Sequence, residues 1–133
     1  MPRAATQVTR KTAARKGPAK PTLTQIERRL GHPGLFAEIR TSLQAAFGPR
    51  LKGLVLYGSQ ARGDAGPESD VDILVLLDEP YKRGRDQWTI IRAIHGLQMK
   101  MDHYLSAKPV PAEEYEEAEW PLYSHAQREG VPL

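Results

Sequence analysis

Gly58-Ser59-Gln60-Ala61-Arg62-Gly63-Asp64-Ala65-Gly66-Pro67-Glu68-Ser69-Asp70-Val71-Asp72-Ile73-Leu74-Val75 is the stretch on which the reading of this chain turns. Gly58 and Ser59 follow an apolar run, Leu51 to Tyr57, that reads as a buried strand. At the end of such a strand a glycine leaves the backbone open. Peptide N–H groups and a serine hydroxyl there can bind phosphate oxygens. Ten residues later Asp70 and Asp72 open a second apolar run. Residues i and i+2 of a strand project to one face, about 6.5 Å apart along it. Two carboxylates in that arrangement are costly unless compensated. Hard cations compensate them, since Mg²⁺ prefers oxygen ligands and is commonly shared between carboxylates and substrate phosphates. Two such ions can stabilise both the attacking and the leaving oxygen of a phosphoryl-type transfer.

Outward from this core, Val71 to Leu77 is apolar on both faces and therefore belongs inside a sheet. Upstream, Leu35, Phe36, Ile39, Leu43, Ala46 and Phe47 recur at helical spacing, and Gly48-Pro49 closes that helix. Before it, Thr24 and Glu27 have capping-box spacing, and Gly31-His32-Pro33-Gly34 is a break. Downstream, residues 85 to 97 place Trp88, Ile91, Ile94 and Leu97 on one helical stripe, read as core. Gln98 to Leu105 alternates, with Met99, Met101, His103 and Leu105 opposite Lys100, Asp102 and Tyr104, and reads as a strand. Asp102 is then either a third carboxylate in a neighbouring strand or an exposed residue on an edge strand. Pro109 and Pro111 introduce a last helical region, interrupted near Pro121 and ending at Gly130. Interleaved helices and strands predict an α/β domain, a small mixed sheet with helices packed on it.

Composition narrows the function. A chain of 133 residues suits one domain, and 40% hydrophobic content is enough for a core. With no cysteine, disulfides and thiolate chemistry are excluded, which fits a reducing cytoplasm. The longest aliphatic run, Ile73 to Leu77, is too short to cross a bilayer. The net charge of +3 is unevenly distributed. Arg3, Arg10, Lys11, Arg15, Lys16 and Lys20 face no acid in the first 20 residues, whereas the remainder holds 13 basic and 16 acidic residues. Residues 1 to 21 are thus expected to be a disordered basic arm, either an electrostatic contact for nucleic acid or an acidic partner, or a solvated tail. Residues 22 to 133 form the folded domain. Its mild acidity argues against nucleic acid as its main ligand. His32, His95, His103 and His125 lack the close pairing of a zinc site, and Glu113, Glu114, Glu116, Glu117 and Glu119 read as a solvated helix face.

The spaced set Gly58-Ser59, ten residues, Asp70-Val71-Asp72 resembles the signature of the DNA polymerase β nucleotidyltransferase superfamily. The longer string through Val75, and the ending from Pro121 to Val131, resemble its minimal nucleotidyltransferase branch, which often has arginine where Gln60 stands. The resemblance covers roughly residues 22 to 133 and implies a polymerase β-like fold. It further implies that Gly58 and Ser59 hold triphosphate oxygens, with Arg62 a further phosphate contact and the helix after Gly58-Ser59 aimed at phosphate. It implies that Asp70 and Asp72 bind two Mg²⁺ ions, and that Asp102 binds the catalytic ion and helps remove the acceptor's proton. ATP is the implied substrate and AMP the transferred group. Many members of this branch resemble antitoxins that adenylylate a tyrosine of a HEPN-domain ribonuclease toxin, so a HEPN-type toxin is the implied partner. Two alternatives stand beside it. One is the same chemistry on a small molecule or a nucleic-acid end. The other is an antitoxin that acts by binding alone.

Overall fold

The computed structural model describes residues 20–133; the expected basic arm lies outside them but for Lys20 and Pro21. Thr22 caps the first helix, α1 (Leu23–Leu30), in a capping box with Gln25. This box replaces the Thr24–Glu27 pairing read from the sequence. Glu27 serves the next helix instead, accepting from the backbone N–H groups of Gly34 and Phe36 at 3.0 and 2.9 Å. Those donors belong to the unsatisfied first turn of α2 (Leu35–Phe47). A single 3₁₀ turn, Gly48–Arg50, leads into β1 (Leu51–Tyr57). One short helix, α3 (Gly58–Arg62), follows without a linker. The chain then crosses to β2 (Val71–Leu77), α4 (Arg83–Gln98), β3 (Leu105–Pro111), α5 (Ala112–Glu116), α6 (Pro121–Glu129) and β4 (Val131–Pro132).

The sheet has the order β3-β2-β1-β4, with β2 and β3 parallel and the other pairs antiparallel. This is the mixed sheet expected. Ile73, Val75 and Leu77 of β2 face a core built with Ile39 and Leu43 of α2 and Ile90, Ile94 and Leu97 of α4. On the opposite face Leu74, Val55 and Val110 pack with Tyr115 of α5 and Ala126 of α6. No helix is long and apolar enough to cross a membrane among the described residues.

Two expectations fail in α4 and beyond it. The buried stripe is Ile90, Ile94 and Leu97, joined by Asp86, whereas Trp88 and Ile91 are exposed. Gln98 to Leu105 is not a strand. The helix runs through Gln98, residues 99 to 104 form a turn, and the strand begins at Leu105. Pro109 and Pro111 both lie in β3, and Pro111 is also the N-cap of α5, so they introduce the last helical region as expected, with its break before Pro121 and its end at Gly130. Proline is tolerated in the strand because β3 is the edge of the sheet. The carbonyls of Ala107 and Pro109 accept from the side chains of Gln87 and Tyr81, at 3.0 and 3.1 Å.

Asp86 is buried at the start of α4. It accepts from the two terminal guanidinium nitrogens of Arg50 (2.8 and 3.2 Å) and from the Lys82 backbone N–H (3.0 Å). Burial pushes its carboxyl up, but hydrogen bonds from Arg50, Lys82 and Arg85 outweigh that and hold it below the usual carboxylate range. The pair ties the entry of β1 to the entry of α4.

Candidate active site

Tyr57, Asp72 and Ser106 sit directly across from one another on β1, β2 and β3. Cross-strand neighbours share a face, so they form a row on the side of the sheet that carries α5 and α6. One step along, Val55, Leu74 and Lys108 form the next row. The site is therefore assembled at the end of the sheet where β1 stops and β2 and β3 start.

Gly58 turns the chain out of β1 with φ +76°, a conformation that L side chains rarely adopt. It also has no room for a side chain. A Cβ placed on Gly58 would stand 2.5 Å from Oδ2 of Asp72. The glycine thus permits the turn and lets the Asp72 carboxylate lie against the backbone. Burial, then the charge of Asp70, raises the Asp72 carboxyl above its ordinary range, while Lys108 and Arg62 pull it down. The Tyr57 hydroxyl is pushed up to about 12 by burial and by Asp72, so it remains a neutral donor.

Asp70 is exposed at the entry to β2, and Ser59 is half-buried on α3. Arg62 is also exposed, paired with Asp64 at 3.3 Å and with Glu129 of α6 at 3.6 Å. Those two carboxylates hold its guanidinium beside Gly58, and a cavity of about 200 Å³ there is lined by Tyr57, Gly58, Arg62, His125 and Glu129 among others. Any phosphate contact by Arg62 competes with these pairs.

Asp102 departs from expectation. It lies exposed in the turn between α4 and β3. Among the described residues no group of three or more His, Cys, Asp or Glu side chains is placed to hold a metal ion. The strand position facing Asp72 is Ser106. Ser106 and Lys108 were missed because the strand was expected to start at Gln98, seven residues before its actual start at Leu105. The alternation of Leu105 and Ala107 with Ser106 and Lys108 was the available signal, masked by the prolines.

The donors fit a divalent cation whose remaining ligands come from substrate. Mg²⁺ is usually bound by one or two carboxylates with phosphates and waters. Asp70 and Asp72 supply two carboxylates beside a backbone turn open to phosphate.

A family model described as "Nucleotidyltransferase domain" matches residues 37–129. Two proteins of Methanocaldococcus jannaschii are similar in sequence. "Putative protein adenylyltransferase MJ0604" is 44% identical over 44 residues, 33% of this chain and 44% of that protein. "Putative protein adenylyltransferase MJ0141" is 31% identical over 72 residues, 54% of this chain and 72% of that protein. The aligned region thus spans less than half the length of the first and nearly three quarters of the second. A crystal structure from Sulfolobus solfataricus, described as a putative nucleotidyltransferase, shares the fold with a TM-score of 0.55, at 22% identity and 80% coverage of each chain.

Proposed function

The chain belongs to the nucleotidyltransferase domain family, and on that premise we propose that it transfers AMP from ATP to a hydroxyl of a partner protein. The observation that carries this reading is the seat of Asp72 against Gly58, with Asp70 two residues away on the same strand edge. A triphosphate laid along Gly58 and Ser59 meets peptide N–H groups with no side chain between. Asp70 and Asp72 would hold Mg²⁺, which when bound would neutralise charge on the phosphates and polarise the reacting oxygens. Lys108, one row further along the same face, adds a positive charge where Ser106 stands in place of a third carboxylate. The acceptor oxygen bonds to the α-phosphorus, the bond to the β-phosphate's bridging oxygen breaks, and pyrophosphate leaves. The acceptor proton is released to solvent at the end of the sheet where β2 and β3 start.

The names of the two relatives support a protein acceptor. We read that acceptor as a tyrosine of a HEPN-type ribonuclease toxin, which makes the chain an antitoxin. The test is incubation of the candidate partner with this protein, Mg²⁺ and ATP. The partner gains the mass of one or more AMP units, and the gain disappears with Asp70→Asn and with Tyr→Phe at the modified position.

Ser106 opposite Asp72 favours one second reading, an antitoxin acting by binding alone, because the carboxylate set is short by one. Neutralisation of an unmodified partner by the Asp70→Asn protein selects it.

A further inference from the structure

Asp70 is exposed, yet its main chain is held on both sides. The carbonyl of Ser69, just before it, accepts from Nδ1 of His103 at 2.9 Å. A carbonyl can only accept, so Nδ1 carries the hydrogen. The same carbonyl accepts a longer bond, 3.4 Å, from Nε2 of the buried Gln60, whose Oε1 in turn accepts from Arg29. Just after Asp70, the Val71 N–H donates to the Tyr104 carbonyl at 2.9 Å. The turn carrying His103 and Tyr104 is itself fixed by one side chain. Gln98, at the end of α4, donates to the His103 carbonyl (3.0 Å) and accepts from the Leu105 N–H (2.7 Å).

The strand ladder accounts for Val71, which already belongs to β2. It does not account for a histidine ring and a buried amide meeting on the carbonyl that precedes the ladder. Gln60 comes from α3, next to Ser59, and His103 comes from the far side, ahead of β3. The two link the phosphate-side helix and the β3 side to the peptide that sets the direction of the Asp70 side chain.

We propose that His103, seconded by Gln60, is a positioning residue that aims Asp70 at the cation. This rests on the reading of Asp70 as a metal ligand. A carboxylate on an otherwise solvated corner gains cation affinity when it is held in place beforehand, because ordering is then not charged against binding. His103 touches neither cation nor nucleotide; it acts through the Ser69 peptide.

The experiment is Mn²⁺ binding to the nucleotide-free protein, followed by electron paramagnetic resonance, with transfer measured against Mg²⁺ concentration alongside. His103→Phe keeps the ring and removes the donor. It is expected to weaken Mn²⁺ binding about five- to tenfold and to raise the half-saturating Mg²⁺ by a similar factor, with kcat recovering at saturating Mg²⁺. His103→Asn, whose amide nitrogen stands near the position of Nδ1, restores binding to within about twofold of the parent. Gln60→Met fills the same buried space without the amide and shows a smaller loss of the same kind. Parental Mn²⁺ binding in His103→Phe overturns the proposal when Asp70→Asn has lost it, and so does an Asn variant as weak as the Phe variant. If His103→Phe fails to fold, the Asn and Met variants decide alone. Parental binding in Asp70→Asn removes the underlying ligand assignment instead, an outcome separate from the first.

Discussion

Gly58→Ala separates the backbone requirement of the site from its steric one, because Gly31 supplies a matched control. Both glycines have positive φ, +76° and +73°, but a Cβ on Gly31 meets nothing within 4 Å, whereas one on Gly58 meets Asp72 Oδ2 at 2.5 Å. Forcing alanine into the left-handed region costs about 1–2 kcal/mol at either position, which lowers the unfolding midpoint by roughly 4 °C per kcal/mol in a domain of this size. At Gly58 the obstructed atom is the end of a side chain. Asp72 can therefore leave by moving its carboxylate about 1 Å or changing rotamer, with little further loss of stability. The catalytic consequence is much larger, since a misplacement of about 1 Å can cost roughly a hundredfold in rate. The expectation is thus two variants with similar thermal midpoints and widely different activity. Gly31→Ala transfers nucleotide and binds Mn²⁺ like the parent, and Gly58→Ala loses about two orders of magnitude in transfer with a clear loss of Mn²⁺ affinity. Adding Asp72→Ala to Gly58→Ala removes the clash and leaves only the backbone penalty, without restoring activity. A Gly58→Ala protein that melts like Gly31→Ala yet keeps Mn²⁺ binding and transfer within twofold of the parent refutes the assignment of Asp72 to the site.

Asp72→Asn removes a carboxylate held above its ordinary range by burial and by Asp70; at neutral pH and without metal its unfolding midpoint should equal or exceed the parent's, while metal-dependent transfer is lost. Asp86→Asn should destabilise by about 1.5–3 kcal/mol at pH 7, the range for hydrogen bonds to a charged group, seen as a lower urea midpoint. Because the folded-state carboxyl of Asp86 lies below its ordinary value, this contribution is full above the unfolded value and fades as pH falls, so parent and variant should converge in acid. Lys108→Met should raise KM for ATP several-fold with little change in thermal midpoint, since the side chain is exposed; a midpoint shift without a KM change would make it a structural residue.

β1, β2 and the Gly58–Asp72 spacing were legible because each rests on local chemistry. An apolar run can only be buried, and the i, i+2 placement of Asp70 and Asp72 fixes their common face. What escaped depended on partners distant in sequence. The phase of α4 was misjudged because Trp88 and Ile91 are as apolar as Ile90 and Ile94, and only packing on α2 decides which pair is covered. Asp86 gave no sign of burial, since its partner Arg50 lies 36 residues away. The turn from Met99 to Tyr104 mimicked a strand through a chance alternation, while its true anchor, the Gln98 side chain, belongs to the helix before it. Moving the strand to Leu105 also puts Ser106 opposite Asp72 and Lys108 one row further along, with Asp102 in the turn before the strand.

The outer margin of β3 constrains how any second molecule can meet this sheet. An exposed edge strand ordinarily offers a ladder of free donors and acceptors onto which another extended chain can zip. Here Pro109 and Pro111 have no hydrogen to donate, and the Ala107 and Pro109 oxygens are already engaged by Gln87 and Tyr81. The sheet is closed to growth on that side without being covered by a helix. Along β3, an extended peptide would therefore find no backbone register to lock into, and contact there has to be made by side chains and surface shape.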